Sequence, residues 1–133
     1  MDALEDAIYD KIAGVSGITT LVGTRIYDKP APAGATYPFV AYSFAGGGED
    51  RETPKHRKGL VYLLQGVSNV SKKEANSLAE LLETAFDEAV LVVSGWTNFW
   101  TAVEDHLKAV ELDTQSGIQT WRAGRYVRIR LSK

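Results

Sequence analysis

The 133-residue chain has no cysteine, two histidines, four prolines and one methionine. Without cysteine there is no disulfide framework, no thiolate nucleophile and no Cys-ligated zinc. His56 and His106 stand far apart with no HxxxH spacing, so a metal site would need carboxylates for most of its ligands. Neither charge sign dominates. Fifteen basic residues against 17 acidic ones give a net charge of −2, which argues against nucleic-acid binding over the whole surface. No run approaches the about 20 apolar residues of a membrane span. The start, Met1-Asp2-Ala3-Leu4-Glu5-Asp6, is acidic where a signal or transit peptide would be basic. A soluble protein made in the cytoplasm is expected. The 44% hydrophobic and 24% charged fractions are those of a globular chain, and the length suits one domain over residues 1–133.

Periodicity supplies the elements. Asp2 and Glu5 have capping-box spacing ahead of Leu4, Ala7, Ile8, Ile12 and Val15, which recur as on one helix face. Gly14 is a stop. Ser16 is read as the cap of a short second helix carrying Ile18, Leu21 and Val22, closed by Gly23. Arg25-Ile26-Tyr27 reads as a short strand. A proline-containing loop follows, and Pro38 opens a strand with Val40, Tyr42 and Phe44 on one face and Phe39 and Ala41 on the other. Residues 45–58 read as a long loop with Gly46-Gly47-Gly48 at a mobile tip. Leu60 to Gly66 is apolar on both faces, which suits a central strand. Ser71 and Glu74 form a second capping box before the clearest amphipathic helix, residues 71–89. Val90 to Val93 is rich in β-branched residues. Residues 96–113 fit helical spacing in part, but the following strand needs a hairpin partner, so an irregular extended segment is expected. Ser116-Gly117 and Ala123-Gly124 read as turns. Tyr126, Arg128 and Arg130 then alternate with Val127, Ile129 and Leu131 in a last strand. The order α-α-β-β-β-α-β-β-β predicts an α+β fold, a mostly antiparallel β-sheet with amphipathic helices packed on one face.

The chemistry-bearing residues do not converge. Ser43, Ser68 and Ser94 lie near strand ends, but none is in a GxSxG elbow. A Ser-His-Asp set needs no sequence neighbours, so that class stays open, as does a small enzyme pairing carboxylates with His56 or His106. The triple glycine lacks a following Gly-Lys-Ser/Thr, and Glu49 and Asp50 beside it would repel a phosphate. Glu80, Glu83, Asp87 and Glu88 read as the wet side of a helix rather than as acid–base pairs. Two basic groups stand out: Lys55, His56, Arg57 and Lys58; and Arg122, Arg125, Arg128, Arg130 and Lys133. They suit a solvated sheet face. Equally they suit an interface for the acidic helices of a neighbouring copy, or a sequence-independent DNA-binding face. The acid-then-base order of residues 49–58 also suits head-to-tail pairing of identical subunits. Glu49, Asp50, Arg51, Lys55, Arg57, Arg128 and Arg130 are therefore the candidate subunit or partner interface. No catalytic, cofactor-binding or metal residues are assigned. Trp96, Phe99, Trp100 and Trp121 are read as core, any exposed remainder marking protein contacts.

One stretch carries a resemblance. Leu4-Glu5-Asp6-Ala7-Ile8-Tyr9, Leu21-Val22-Gly23-Thr24-Arg25-Ile26-Tyr27, the loop Pro32 to Gly34 and Tyr37-Pro38-Phe39-Val40 resemble the tail-completion, or tail-terminator, proteins of tailed bacteriophages and prophages. The charged hairpin, the helix over 71–89 and the closing strand match that layout, whereas the Trp-rich run at residues 95–113 departs from it. The resemblance implies a structural virion protein rather than an enzyme, with no cofactor. Such a subunit would form a homo-oligomeric ring, with six-fold symmetry, on the head-proximal end of the tail. It would end tail polymerisation and allow head–tail joining. The implied partners are the tail tube protein and the connector or neck proteins, with DNA only passing through the lumen and no membrane. The alternative within the same junction is a head–tail connector or neck protein.

Overall fold

Three helices lie on one face of a six-stranded sheet that curls around them. The computed structural model describes residues 2–28, 36–50, 57–112 and 119–132. In chain order these form α1 (Asp2–Ala13), α2 (Ser16–Val22), β1 (Ile26–Asp28), β2 (Phe39–Asp50), β3 (Arg57–Ser68), α3 (Lys72–Phe86), β4 (Val92–Val93), β5 (Trp96–Leu112) and β6 (Gln119–Ser132). The sheet order is β1-β2-β3-β6-β5-β4, and every pairing is antiparallel except β1 with β2. This is the expected α+β architecture, with the expected order of elements. β1 and β4 occupy opposite edges of the sheet, yet α1 touches both, so the curl brings the two edges to one helix.

Alternation decides which side chains enter the core. On β6, Val127, Ile129 and Leu131 are buried while Tyr126, Arg128 and Arg130 stay half-buried on the far face. Val40 and Tyr42 of β2 and Leu60, Tyr62 and Leu64 of β3 join the same core. α3 covers it with Leu78, Leu82 and Phe86, all fully buried, each worth about 2 kcal/mol of apolar burial. α1 adds Leu4, Ile8 and Ile12, and α2 adds Ile18 and Val22. Phe39, Ala41 and Val67 form a second, smaller cluster on the opposite face of the sheet.

The helix ends differ in part from the sequence expectation. Ser71 Oγ accepts from the Glu74 N–H at 3.1 Å, so the first half of that capping box forms. The Glu74 carboxylate instead takes the Ser68 hydroxyl at 2.7 Å. Ser16 does not cap α2. Val15 holds that position without a side-chain bond, and Ser16 is the first helical residue. Gly23 closes α2 with φ +60° as expected. The side chain of Asp2 lies outside the described residues. α3 stops at Phe86 rather than running to 89, because Asp87 is extended and Glu88 turns to φ +60°.

Two glycine readings are corrected. Gly46-Gly47-Gly48 is not a loop tip, since β2 runs on to Asp50 and these residues face Val61, Leu60 and Gly59 of β3. A Cβ at Gly47 would strike the Gly59 carbonyl, so the missing side chain serves a close approach of two strands. Of the expected loop over residues 45–58, residues 45–50 and 57–58 are strand, and residues 51–56 lie outside the described residues. Ala123-Gly124 is likewise strand rather than turn, paired with Gly66 and Gln65. The Ser116-Gly117 turn lies outside the described residues. Residues 96–112 are extended and irregular as expected, with register shifts at Asn98/Trp100 and at Val103/Asp105. Asn98 fills the first of these bulges. Its Oδ1 accepts from Leu91 N–H (2.8 Å) and Thr101 Oγ1 (2.9 Å), and its Nδ2 donates to the Trp100 and Arg130 carbonyls (both 3.1 Å).

Candidate functional site

The outer sheet face, opposite the helices, holds those candidate interface residues whose side chains are described. Register places Arg130 between Gly59 and Trp100, and Arg128 between Val61 and Ala102. The Arg130 guanidinium lies 5.2 Å from the centre of the Phe99 ring. Arg57 comes to the same ring at 5.4 Å, so two cations share one aromatic. Arg128 is bound to Glu104 of β5, both about two-fifths exposed. Phe99 and Trp100 remain 43% and 44% exposed. The face thus carries aromatic surface ringed by guanidinium groups.

Of the seven candidates, the structure brings Arg57, Arg128 and Arg130 onto this face. Glu49 and Asp50 have their backbones in β2, opposite Lys58 and Arg57 in register. Their side chains lie outside the described residues, as do Arg51 and Lys55 altogether. The pleat divides the first basic group. Arg57 faces outward, whereas Lys58 stands on the other side, its ammonium 4.9 Å from the Trp96 ring. The second group is divided as well. Arg125 shares the inward phase of Val127 and is buried, its Nε donating to Glu83 Oε1 at 2.8 Å. His106 Nε2 lies 3.0 Å from that same oxygen. Glu83 is thus a link between α3 and the sheet rather than simply a wet helix position. His56 and Lys133 lie outside the described residues. Sequence reasoning missed Glu104, Asn98 and the Glu83–Arg125 pair. For Arg125 the alternation of β6 held the signal.

The signature residues of the N-terminal third have structural roles. Arg25 Nε donates to the Pro38 carbonyl at 2.9 Å and its Nη2 to the Leu21 carbonyl at 3.2 Å, tying the end of α2 to the entry of β2. Tyr27 and Tyr37 pack on Phe39, with ring centres 5.6 and 5.2 Å away. These residues hold a parallel strand pair in place.

Among the described residues no group of three or more His, Asp or Glu is placed to hold a metal. A hollow of about 150 Å³ lies between the start of α3 and the β5–β6 pair, with Lys72, Lys108 and Trp121 in its lining. Another, of about 350 Å³, lies beside Asp87, Glu88, Val90 and Trp100. Among the described residues no helix is long and apolar enough to cross a membrane.

Burial, reinforced by Asp28 and by the acids of α1, pushes the Tyr42 hydroxyl up to about 12 from 10.0. The unfolded chain would lose this proton near pH 10 and the folded one only near 12. Stability from this group is therefore full below pH 10 and falls between pH 10 and 12. Urea melts across that window should show a shallower decline for Tyr42→Phe than for the wild type.

An α+β module with helices on one sheet face and a charged, partly aromatic opposite face is the class that these features define. No family model and no curated protein matches the chain. Twenty chains of solved structures do match it. One is a chain of a structure described as the virion of a native gene transfer agent particle. The two align with a TM-score of 0.78 at 17% identity, over 99% of this chain and 96% of that one. At this identity the likeness establishes a shared fold.

Proposed function

We propose that this chain is a structural protein of a phage-like virion that caps the head-proximal end of the tail tube. It acts as a homo-oligomeric ring of six-fold symmetry, ends tube polymerisation and allows head–tail joining. The observation that carries the reading is the end-to-end match with a chain of a gene transfer agent virion, 99% of one chain on 96% of the other. A likeness of that extent spans nearly the whole chain rather than a common substructure. The tail-terminator signature within residues 4–42 supports the same reading independently. The role is that of an assembly protein rather than an enzyme, and needs no cofactor. Its partners would be further copies, the tail tube protein and the neck. The outer face supports an interface: aromatic surface with arginine around it is the composition that protein contacts favour. Glu49, Asp50, Arg51, Lys55, Arg57, Arg128 and Arg130 remain the proposed contact residues.

Negative-stain electron microscopy of particles made without this protein tests the assignment. Overlong tails beside unjoined, filled heads are expected. Tails of normal length beside heads that have lost their DNA would make it a neck or connector protein instead. Normal infectious particles would overturn both.

A further inference from the structure

We propose that copies of this chain join edge to edge, the open edge of β5 in one copy pairing antiparallel with the open edge of β2 in the next. The proposal rests on the ring reading above and names the surfaces that would close the ring. β4 covers only the start of β5, with Val92 and Val93 facing Thr97 and Trp96. Next along that side, Glu88 N–H donates to the Thr101 carbonyl (2.9 Å) and Val103 N–H to Asp87 Oδ1 (3.1 Å). From Glu104 to Leu112 no described strand lies there, although β6 pairs the other side as far as Leu112. The opposite end of the sheet is alike. β1 covers β2 only at Val40, Ala41 and Tyr42, while β2 runs on to Asp50 against β3.

Hydrogen bonds at Val40, Val103 and His106, with strand alternation, give the direction of the edge amides. Val103 N–H points away from β6, since it reaches Asp87. The register shift at Val103/Asp105 adds one residue, after which Asp105 faces β6 and His106, Lys108 and Val110 point outward. His106 N–H agrees, being turned to Asp105 Oδ1 at 2.8 Å rather than to β6. On β2, Val40 N–H donates to the Arg25 carbonyl, away from β3. Tyr42 and Phe44 then point the same way, as do Gly47 and Glu49 beyond the shift at Phe44/Gly46.

A second copy is the fitting occupant because one molecule carries both halves of the joint. The strands β2, β3, β6 and β5 alternate in sense, so β5 runs opposite to β2. Register sets Lys108 level with Val40 and Gly47 level with Thr101, so the strands must lean against the ring axis, as barrel strands do, for the two open stretches to meet. A rotation about the ring axis preserves the sense of a strand along that axis. It therefore sets β5 of one copy antiparallel to β2 of the next, the better of the two pairings. The contact uses two different edges, which is the heterologous geometry that closes rings. Neither open stretch contains the proline that would block it.

Lys108→Pro removes one outward amide and leaves the β6 side intact, whereas Lys108→Ala removes only the side chain. Glu49→Pro does the same on the other edge. Each variant would replace the wild type in particle-producing cells, with copies per particle counted by mass spectrometry. Lys108→Ala should be incorporated normally, and both proline variants should fall at least tenfold while melting cooperatively when purified. Should a proline variant not fold, amide exchange on the wild type decides. The amides of residues 47, 49, 106, 108 and 110 should exchange at least tenfold more slowly in the assembled form than in dilute monomer. Normal incorporation of both proline variants, or unchanged exchange, overturns the proposal. Protection on β5 alone also overturns it, assigning that edge to a strand of another virion protein. A wild type present at one copy per particle would overturn the ring reading itself.

Discussion

Replacing Glu83 by Ala should destabilise the fold by about 3 kcal/mol, because it strands a buried guanidinium. Arg125 is only 6% exposed, and Glu83 is the carboxylate that its Nε reaches. Desolvating a cation is costly, and the nearby carboxylate offsets that cost only while it is there. Removing the cation itself is a different experiment. Arg125→Met keeps the volume and leaves the Glu83 carboxylate, 38% exposed, with water and His106 for partners. That change should stay within about 1 kcal/mol. Urea unfolding of the two variants compares them directly. Equal losses would mean that the pair acts through packing rather than through the stranded charge.

Gly66→Val should cost a comparable about 3 kcal/mol by overpacking. Gly66 lies on the core face of β3, directly beneath α3. A Cβ there would strike Leu78 Cβ and lie 3.1 Å from Leu78 Cδ1 and 3.3 Å from the Ala75 carbonyl. Leu78 is fully buried and has nowhere to move, so the helix would have to lift from the sheet. Leu78→Gly removes the Cβ that the new side chain strikes, so the double variant Gly66→Val/Leu78→Gly should lose less than the sum of its parts. Strict additivity in thermal melts would show that the two positions do not meet.

Much of this architecture was legible because several segments each have one wet face and one dry face. The alternation of residues 126–131 and the stripe of α3 translate directly into burial. β5 resisted because its two bulges reset the phase twice within one strand. Phe99 and Trp100, then Glu104 and Asp105, fit neither period 2 nor period 3.6. The three glycines misled for another reason. Gly47 has a positive φ of +96°, as a turn glycine would, but it lies inside a strand where its absent side chain also lets β3 approach, and sequence cannot tell this use from a turn. Of the candidate interface, the placement of Arg128 and Arg130 on the outer face followed from parity. The ion pair that occupies Arg128 could not be foreseen, because Glu104 reaches it only through the bulge.

The curl of the sheet sets an order on the chain's maturation. α1 is made first, yet one of the two strands that it clasps, β4, comes some 80 residues later. Leu4, Ile8 and Ile12 share a core with Leu91 and Val93, and also with Val127, Ile129 and Leu131 at the far end of the chain. A nascent chain therefore cannot complete the packing around α1 until β4 has left the ribosome. Both edge strands would then reach their final places only after β4 and its partner β5 have been made.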